Sequence, residues 1–443
     1  MSVLLRWPHA LPPRRSQKLA EKGGGLGSSF PQPLLSLPEL SLPPRQRGPG
    51  RALCRPMKHR LPRKALAWAL YDWANSAFPT VVSTFVIAAY FTQGIAASPA
   101  EGQALWGWMQ TLAGIAIALL SPVLGAVADA GGRRRTMLLL CTVLTAIATA
   151  LIWFARPDPA FAAWALACVG LATVGFELGT VFYNSMLPQV APPERLGRLS
   201  GLAWGLGYAG GLACLLLCLL ALVQPNPSPF GLDRASAEHV RATAPLVAAW
   251  MLVFGWPVLV ALPDPAPPRP AWGAAIRKGL AEIGTVLRSL PRNPTLARFL
   301  LARLFYTDGL NTLFAFGAIY AAGTFGMGFE EILLFGIALN VTAGLGAAGF
   351  GLVEDRLGAR PTVLVALFAL LLLGGAVVLV DDRAMFWGLA LALGLFLGPA
   401  QAASRSYMAH LAPPGEASAY FGLFALSGRV TGFLGPAVLA AVT

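Results

Sequence analysis

Asp72, Asn75 and Ser76 stand at i, i+3 and i+4 within the apolar stretch WALYDWANSAFPTVVSTFVIAAYF (68–91), so all three polar groups project from one helix face. A helix that only sat in lipid would be better off without the carboxylate, which costs roughly 2.5–3.5 kcal/mol at mid-helix. The face is therefore expected against protein or water, as part of a substrate or ion cavity. Asp72 lies only a few residues into its apolar run, so an interfacial carboxylate near the headgroups is the competing reading. The same spacing, D-x-x-N-[S/T]-x-F, returns in LFYTDGLNTLF, where Asp308, Asn311, Thr312 and Phe314 match Asp72, Asn75, Ser76 and Phe78. Asp308 lies deeper in its run, which favours a cavity carboxylate there. Glu177, within LATVGFELGTVFYN, has no basic neighbour in sequence. It is either held protonated by desolvation, as a proton-coupling site, or engaged in a structural hydrogen bond to another helix. Gln401 shares a face with Ser404 and joins the cavity set, with Tyr183, Asn184 and Arg405 towards its mouth. Arg429, in FALSGRVTGF, sits at mid-depth and requires a carboxylate or helix-end carbonyls. If it pairs across the two halves, for example with Asp129, it forms part of an inward gate.

Asp129 belongs to a second repeated element. GAVADAGGRR places Gly125, Asp129, Gly132 and Arg134 at the spacing of Gly351, Asp355, Gly358 and Arg360 in GLVEDRLGAR. Glycine permits the turn and close helix approach, and the Asp sits at a helix end. A loop that only set orientation would need the arginines alone. A third pair aligns Ser185, Pro192, Pro193 and Gly201 with Ser406, Pro413, Pro414 and Gly422. Three ordered matches at nearly constant offset define a tandem repeat of one membrane unit.

These residues must be positioned by membrane helices. The chain has 443 residues, 56% hydrophobic and only 12% charged, against the ~25% charge usual in soluble domains. Apolar runs fall at roughly 66–94, 104–127, 136–155, 160–187, 199–223, 243–262, 298–323, 331–352, 361–380, 385–409 and 419–443. Basic residues gather after even-numbered runs, as at Arg133, Arg134, Arg135, Arg195, Arg198, Arg356 and Arg360. The N-terminus is therefore expected in the cytoplasm. That placement accounts for the net charge of +13 better than nucleic-acid binding does. Residues 1–56 are rich in Pro and Arg and are expected to be a disordered or spurious extension, with Met57 as an alternative start. The six-helix bundle 57–262 is followed by a cytoplasmic linker, 263–297, whose WGAAIRKGLAEIGTVLRSL suggests an amphipathic helix at the membrane surface. A second bundle, 298–443, has one run fewer than the first, so either the last helix is cut away or the protein has eleven.

The Gly-x-x-x-Asp-x-x-Gly-x-Arg element in both halves resembles the major facilitator superfamily. That resemblance implies an all-α integral membrane fold of two six-helix bundles rocking about a cavity lined by the first, fourth, seventh and tenth helices. It also implies that Asp129 with Arg133, Arg134 and Arg135, and Asp355 with Arg356 and Arg360, act as charge latches on the cytoplasmic face. LYDWANSAF, FELGTVFYNSMLPQVAPPERLGRLSGLAWGLGYAGG, FYTDGLNT and QAASRSYMAHLAP narrow the resemblance to the group related to the fungal vacuolar amino-acid effluxer. It implies a secondary transporter of small solutes, amino acids among them, working in efflux and coupled to protons.

A membrane-embedded enzyme and a non-transporting receptor or scaffold are the alternatives. Beyond the N-terminal flank the only histidines are His239 and His410, in different loops, which argues against a reaction centre. No G-x-x-x-x-G-K-[S/T] loop supports ATP drive. Cys141, Cys168, Cys214 and Cys218 are expected as small packing residues, so neither metal nor cofactor is anticipated. The expected partners are a small-molecule substrate, membrane lipid and protons, with no nucleic acid, and the chain is expected to be a monomer in the inner (plasma) membrane.

Overall fold

A computed structural model describes residues 62–265 and 269–429, all of whose regular elements are helical. The N-terminal extension, Met57, the side chain of Phe314 and residues 430–443 lie outside the described residues. Among the described residues, nine helices are long and apolar enough to cross a bilayer. They are α1 (Arg63–Ile95), α2 (Pro99–Gly131), α3 (Arg134–Phe154), α4 (Pro159–Ser185), α5 (Pro193–Val223), α6 (Glu238–Ala261), α9 (Glu330–Leu357), α10 (Ala359–Val378) and α11 (Arg383–Leu411). Between α6 and α9 lie α7 (Trp272–Ser289), within the linker, and α8 (Pro294–Phe325), at the seventh apolar run. The last described helix is α12 (Ala417–Ser427), at the start of the eleventh run. Arg298, Arg303 and Asp308 give α8 more charge than a plain lipid-facing span would carry.

Local sequence sets the helix limits. Ser98 accepts a hydrogen bond from Glu101 N ahead of Pro99, and α2 ends at Gly132, whose φ of 59° suits a residue without Cβ. Asp382 caps α11 through Met385 N at 2.7 Å, and Asn293 caps α8 through Leu296 N at 3.2 Å. In α1, Pro79 removes one helical donor, and the chain winds as a π-helix over Phe78–Phe85 before resuming. Outward positions carry apolar residues such as Leu119, Leu364 and Leu371, which suits a surface solvated by acyl chains. The four cysteines of the apolar helices are buried and free.

Helices α1–α6 form the first half and α8–α12 the second. The halves meet along two seams, α2 against α12 and α5 against α9. Glycine makes both possible. A Cβ at Gly351 would lie 2.8 Å from Gly197 O, and one at Gly201 would lie 2.9 Å from the Gly351 Cα. On the other seam a Cβ at Gly422 would lie 2.6 Å from the Pro122 Cα, and Gly125 abuts the Ser418 backbone. Gly125 and Gly351 are repeat counterparts, as are Gly201 and Gly422, so the two seams are one packing solution used twice. Helix α7 lays Ala275, Gly279, Ile283 and Val286 inward, with Gly279 against Val127 of α2. Its opposite face exposes Trp272, Ile276, Leu280 and Leu287.

Candidate functional site: a latch and a charged cavity between the halves

The polar contacts between the halves cluster, among the described residues, at the end bearing the basic loops. Arg405, 3% exposed on α11, is their centre. Its Nη1 donates to Asp72 Oδ2 at 2.7 Å and to Asn184 Oδ1 at 3.4 Å. Its Nε donates to Ser200 Oγ at 2.9 Å and its Nη2 to the Ser200 carbonyl at 2.7 Å. The rings of Trp68, Tyr183 and Trp204 stand 4.9, 5.7 and 5.6 Å from the guanidinium carbon. Trp68 stacks on Tyr183 with centroids 4.5 Å apart and donates to the Tyr183 carbonyl at 2.9 Å, which fixes the cage. One second-half cation is thus held by α1, α4 and α5 of the first half. Its planar fork satisfies two acceptor directions at once, which an ammonium would not.

Either side of this latch, each motif Asp caps a helix of the opposite half. Asp129 Oδ2 accepts from Ala419 N in the first turn of α12 at 2.9 Å, and Asp355 Oδ1 accepts from Arg198 N near the start of α5 at 3.0 Å. A carboxylate on a helix N-terminus meets both an unpaired N–H and the positive end of the dipole. Asp129 also binds Arg134, whose Nε donates at 2.7 Å, and Arg134 reaches the Gly415 carbonyl across the seam at 3.1 Å. The rest of the expected charge latch is corrected. Arg133 lies over the Trp272 ring at 4.2 Å, Arg135 offers its backbone N to Asp264 at 2.7 Å, and among the described residues the ion pair to Asp129 comes from Arg134 alone. Arg356 and Arg360 are exposed, and no ion pair from either to Asp355 occurs among the described residues. The helix end supplies the partner instead.

Deeper in the fold, Arg429 pairs with Glu177. The Arg429–Asp129 pair given as an example does not form here, since Asp129 is committed to Arg134 and Ala419. Glu177 is likewise not the lone carboxyl its sequence neighbourhood suggested. Arg303 of α8 lies 3.5 Å from the centroid of Phe424 and reaches Ser427 Oγ at 3.5 Å. Asp308 Oδ1 is buried with no hydrogen-bond partner among the described residues. Gln401 donates to Tyr208 OH at 3.4 Å across the halves, and Tyr306 OH shares a hydrogen with Ser404 Oγ at 2.6 Å.

The D-x-x-N-[S/T] faces divide. Ser76 faces α5, where a Cβ at Gly207 would lie 2.7 Å from its Oγ, and Asn75 is buried. Thr312 Oγ1 bonds back to the Asp308 carbonyl at 2.9 Å, and Asn311 is half-buried on the same helix. Asp72 alone of the first triad reaches the other half. Sequence reasoning set Arg405 at the cavity mouth and missed it as the hub. The signal was available: Arg405 falls where the repeat places Asn184, a cation inside an apolar helix that demanded a partner as Arg429 did.

Two pseudo-equivalent helical halves, joined at one end by a polar latch around a charged interior, define a membrane transporter of the major facilitator superfamily. The proton:xylose symporter XylE bound to 6-bromo-6-deoxy-D-glucose superposes with a TM-score of 0.64 at 14% identity, covering 86% of this chain and 88% of that one. FucP in the outward conformation gives 0.63 at 16% identity, with 86% and 91% covered. At residues 103–443 the chain matches the model of the "Vacuole effluxer Atg22 like" family, and it belongs to that family. The MFS-type transporter YxiO of Bacillus subtilis (strain 168) is 26% identical over 391 residues, 87% of this chain and 89% of the relative. Autophagy-related protein 22 of Cryptococcus neoformans (strain B-3501A) is 27% identical over 266 residues, 56% of this chain and 47% of that longer protein.

Proposed function

We propose that this chain is a secondary transporter moving a small solute by alternating access, held here in the state closed at the basic-loop end. The observation that carries the reading is the convergence of Asp72, Asn184 and Ser200 of one half on Arg405 of the other. Breaking those bonds is what opening that end would require. The interior set of Glu177, Arg303, Asp308, Gln401 and Arg429 offers both signs of charge. An amino acid suits it best, with its carboxylate on an arginine and its ammonium on Asp308, and Asn75, Ser76, Asn311 and Thr312 standing around the site as polar support. Membership of the "Vacuole effluxer Atg22 like" family supports efflux as the direction. By the positive-inside rule the basic loops and the N-terminus face the cytoplasm of a plasma membrane, and an ion gradient, protons first, supplies the drive.

Counterflow of a labelled panel of amino acids, dipeptides, sugars and organic anions in proteoliposomes tests this, with Asp308→Asn as control. Accumulation of an amino acid that the control abolishes is the expected outcome. Accumulation of another class would move the substrate. No counterflow of any class by a folded, monodisperse sample would sink the transporter reading.

A further inference from the structure

Glu354 is 3% exposed on α9, at the α5–α9 seam near the basic-loop end. Its repeat counterpart is Ala128, so the carboxyl is an addition peculiar to the second half. It packs on the first half: a Cβ at Gly197 would lie 2.6 Å from its carboxyl carbon. Its polar contact is with Ser406 Oγ of α11. Ser406 Oγ is also 3.0 Å from the Ala403 carbonyl, an oxygen that only accepts. A hydroxyl has one hydrogen to give. If that hydrogen goes to Ala403, the Glu354–Ser406 contact needs a second one, and the carboxyl is the group that can carry it.

The charged groups around Glu354 are of both signs, with Asp355 opposing an ionised carboxyl and Arg405 acting in the other direction from beyond ion-pair distance. On α9, Asp355 stands next to it and is of like charge. On α11, the N–H groups of Arg405 go to Asp72, Asn184 and Ser200, while His410 shares with Glu354 the wall of a cavity of about 250 Å³. On α5, Glu194 lines the same cavity, Arg198 is exposed, and Arg195 and Arg198 act on Asp355. No ion pair to Glu354 occurs among the described residues. An ionised carboxylate buried there without a direct ion pair would carry a desolvation cost.

We propose that Glu354 is a proton-binding site that controls the closed seam. The carboxyl is protonated while α5, α9 and α11 are together. When the halves part it is wetted through the adjoining cavity and gives its proton to water on the basic-loop side, and closure takes one proton back. Acid on that side holds the seam shut and alkali favours opening. The proposal rests on the alternating-access reading and adds to it which side's pH sets the gate.

The test reads opening without a substrate. Ser418 of α12 is fully buried and donates to Ser185 Oγ across the other seam at 3.0 Å, so Ser418→Cys reports separation of the halves by its maleimide alkylation. The reporter is placed in the full chain with its five native cysteines changed to alanine, reconstituted in nanodiscs. The alkylation rate, divided at each pH by that of an exposed Gly273→Cys in the same background to remove the thiolate's own pH dependence, is expected to rise with pH, by at most about tenfold per unit, the limit for one linked proton. Glu354→Gln should give a flat curve at the low-pH rate. Ser406→Ala, which removes the partner but keeps the carboxyl, should raise the low-pH rate several-fold. A flat wild-type curve, a Glu354→Gln curve that keeps the slope, a slope lost instead in His410→Gln, or a Ser406→Ala curve superimposed on the wild type would each overturn the proposal. A flat curve beside active counterflow fails the proton site alone. An intact pH response beside failed counterflow fails the transport reading alone.

Discussion

Asp72 and Asp308 occupy the same place in the two repeats and meet different fates. Asp72 is held at 2.7 Å by Arg405 within an aromatic cage, while one oxygen of Asp308 is buried without a partner among the described residues. The difference lies in what each faces. Under the repeat, the position of Arg405 in one half is that of Asn184 in the other. A cation at one of two equivalent positions makes one carboxylate a structural tie and leaves the other available. The seams teach the opposite lesson. Gly125 with Gly422 and Gly351 with Gly201 are alike, as are the helix caps from Asp129 and Asp355, so the duplication keeps its symmetry where packing is at stake.

The comparison is best broken at Arg405. Arg405→Ala leaves Asp72, only 13% exposed, facing an aromatic cage without its cation, and removing one partner of a buried pair costs about 3–5 kcal/mol. A clear fall in the detergent melting temperature is expected, with counterflow near background, and Asp72→Ala in addition should recover part of the melting temperature. If Arg405→Ala melts like the parent, the latch is not a structural tie. Next in size, Gly351→Leu should weaken the closed seam by about 1–3 kcal/mol through overpacking and raise alkylation of Ser418→Cys. Gly349→Ala, where a Cβ meets nothing within 4 Å, should leave it unchanged.

Smaller effects sharpen the contrast. Asp129→Ala and Asp355→Ala each remove a helix cap worth about 0.5–2 kcal/mol, with Asp129 the larger because it also holds Arg134. Differential melting of the two variants would show the order, and equal losses would argue that Arg134 adds nothing. Asp308→Asn should change the melting point least, by the equivalent of about 1 kcal/mol or less, yet abolish counterflow. Loss of folding in Asp308→Asn would make it a second structural carboxylate and erase the distinction.

The duplication, the helical class and the family motifs were legible because they lie in spacing, which a linear chain displays directly. The seam glycines were legible as small residues but not as paired contacts. What the sequence hid were the partners. Asp72 and Arg405 are separated by most of the chain, and Arg429 pairs with Glu177 rather than Asp129 because Asp129 caps the first turn of α12 while Arg429 follows its last. The charge latch was misjudged for a related reason. A run such as Arg133, Arg134 and Arg135 fans out round a helix start, so Arg134 faces the acid while Arg133 turns to Trp272 and Arg135 meets Asp264 through its backbone N alone.

Helix α7 bears on how far the halves can travel. With Gly279, Ile283 and Val286 set against α2, the linker rides with the first half, and only Leu290–Arg292 and the capping Asn293 stand between its end and α8. The two bundles are therefore joined by a leash of a few residues rather than by the full linker. Its brevity holds them at high effective concentration, so an opened latch is re-formed as an intramolecular event. Cutting the chain at Pro291 would free the leash without touching a latch residue, and reclosure would then depend on the seams alone.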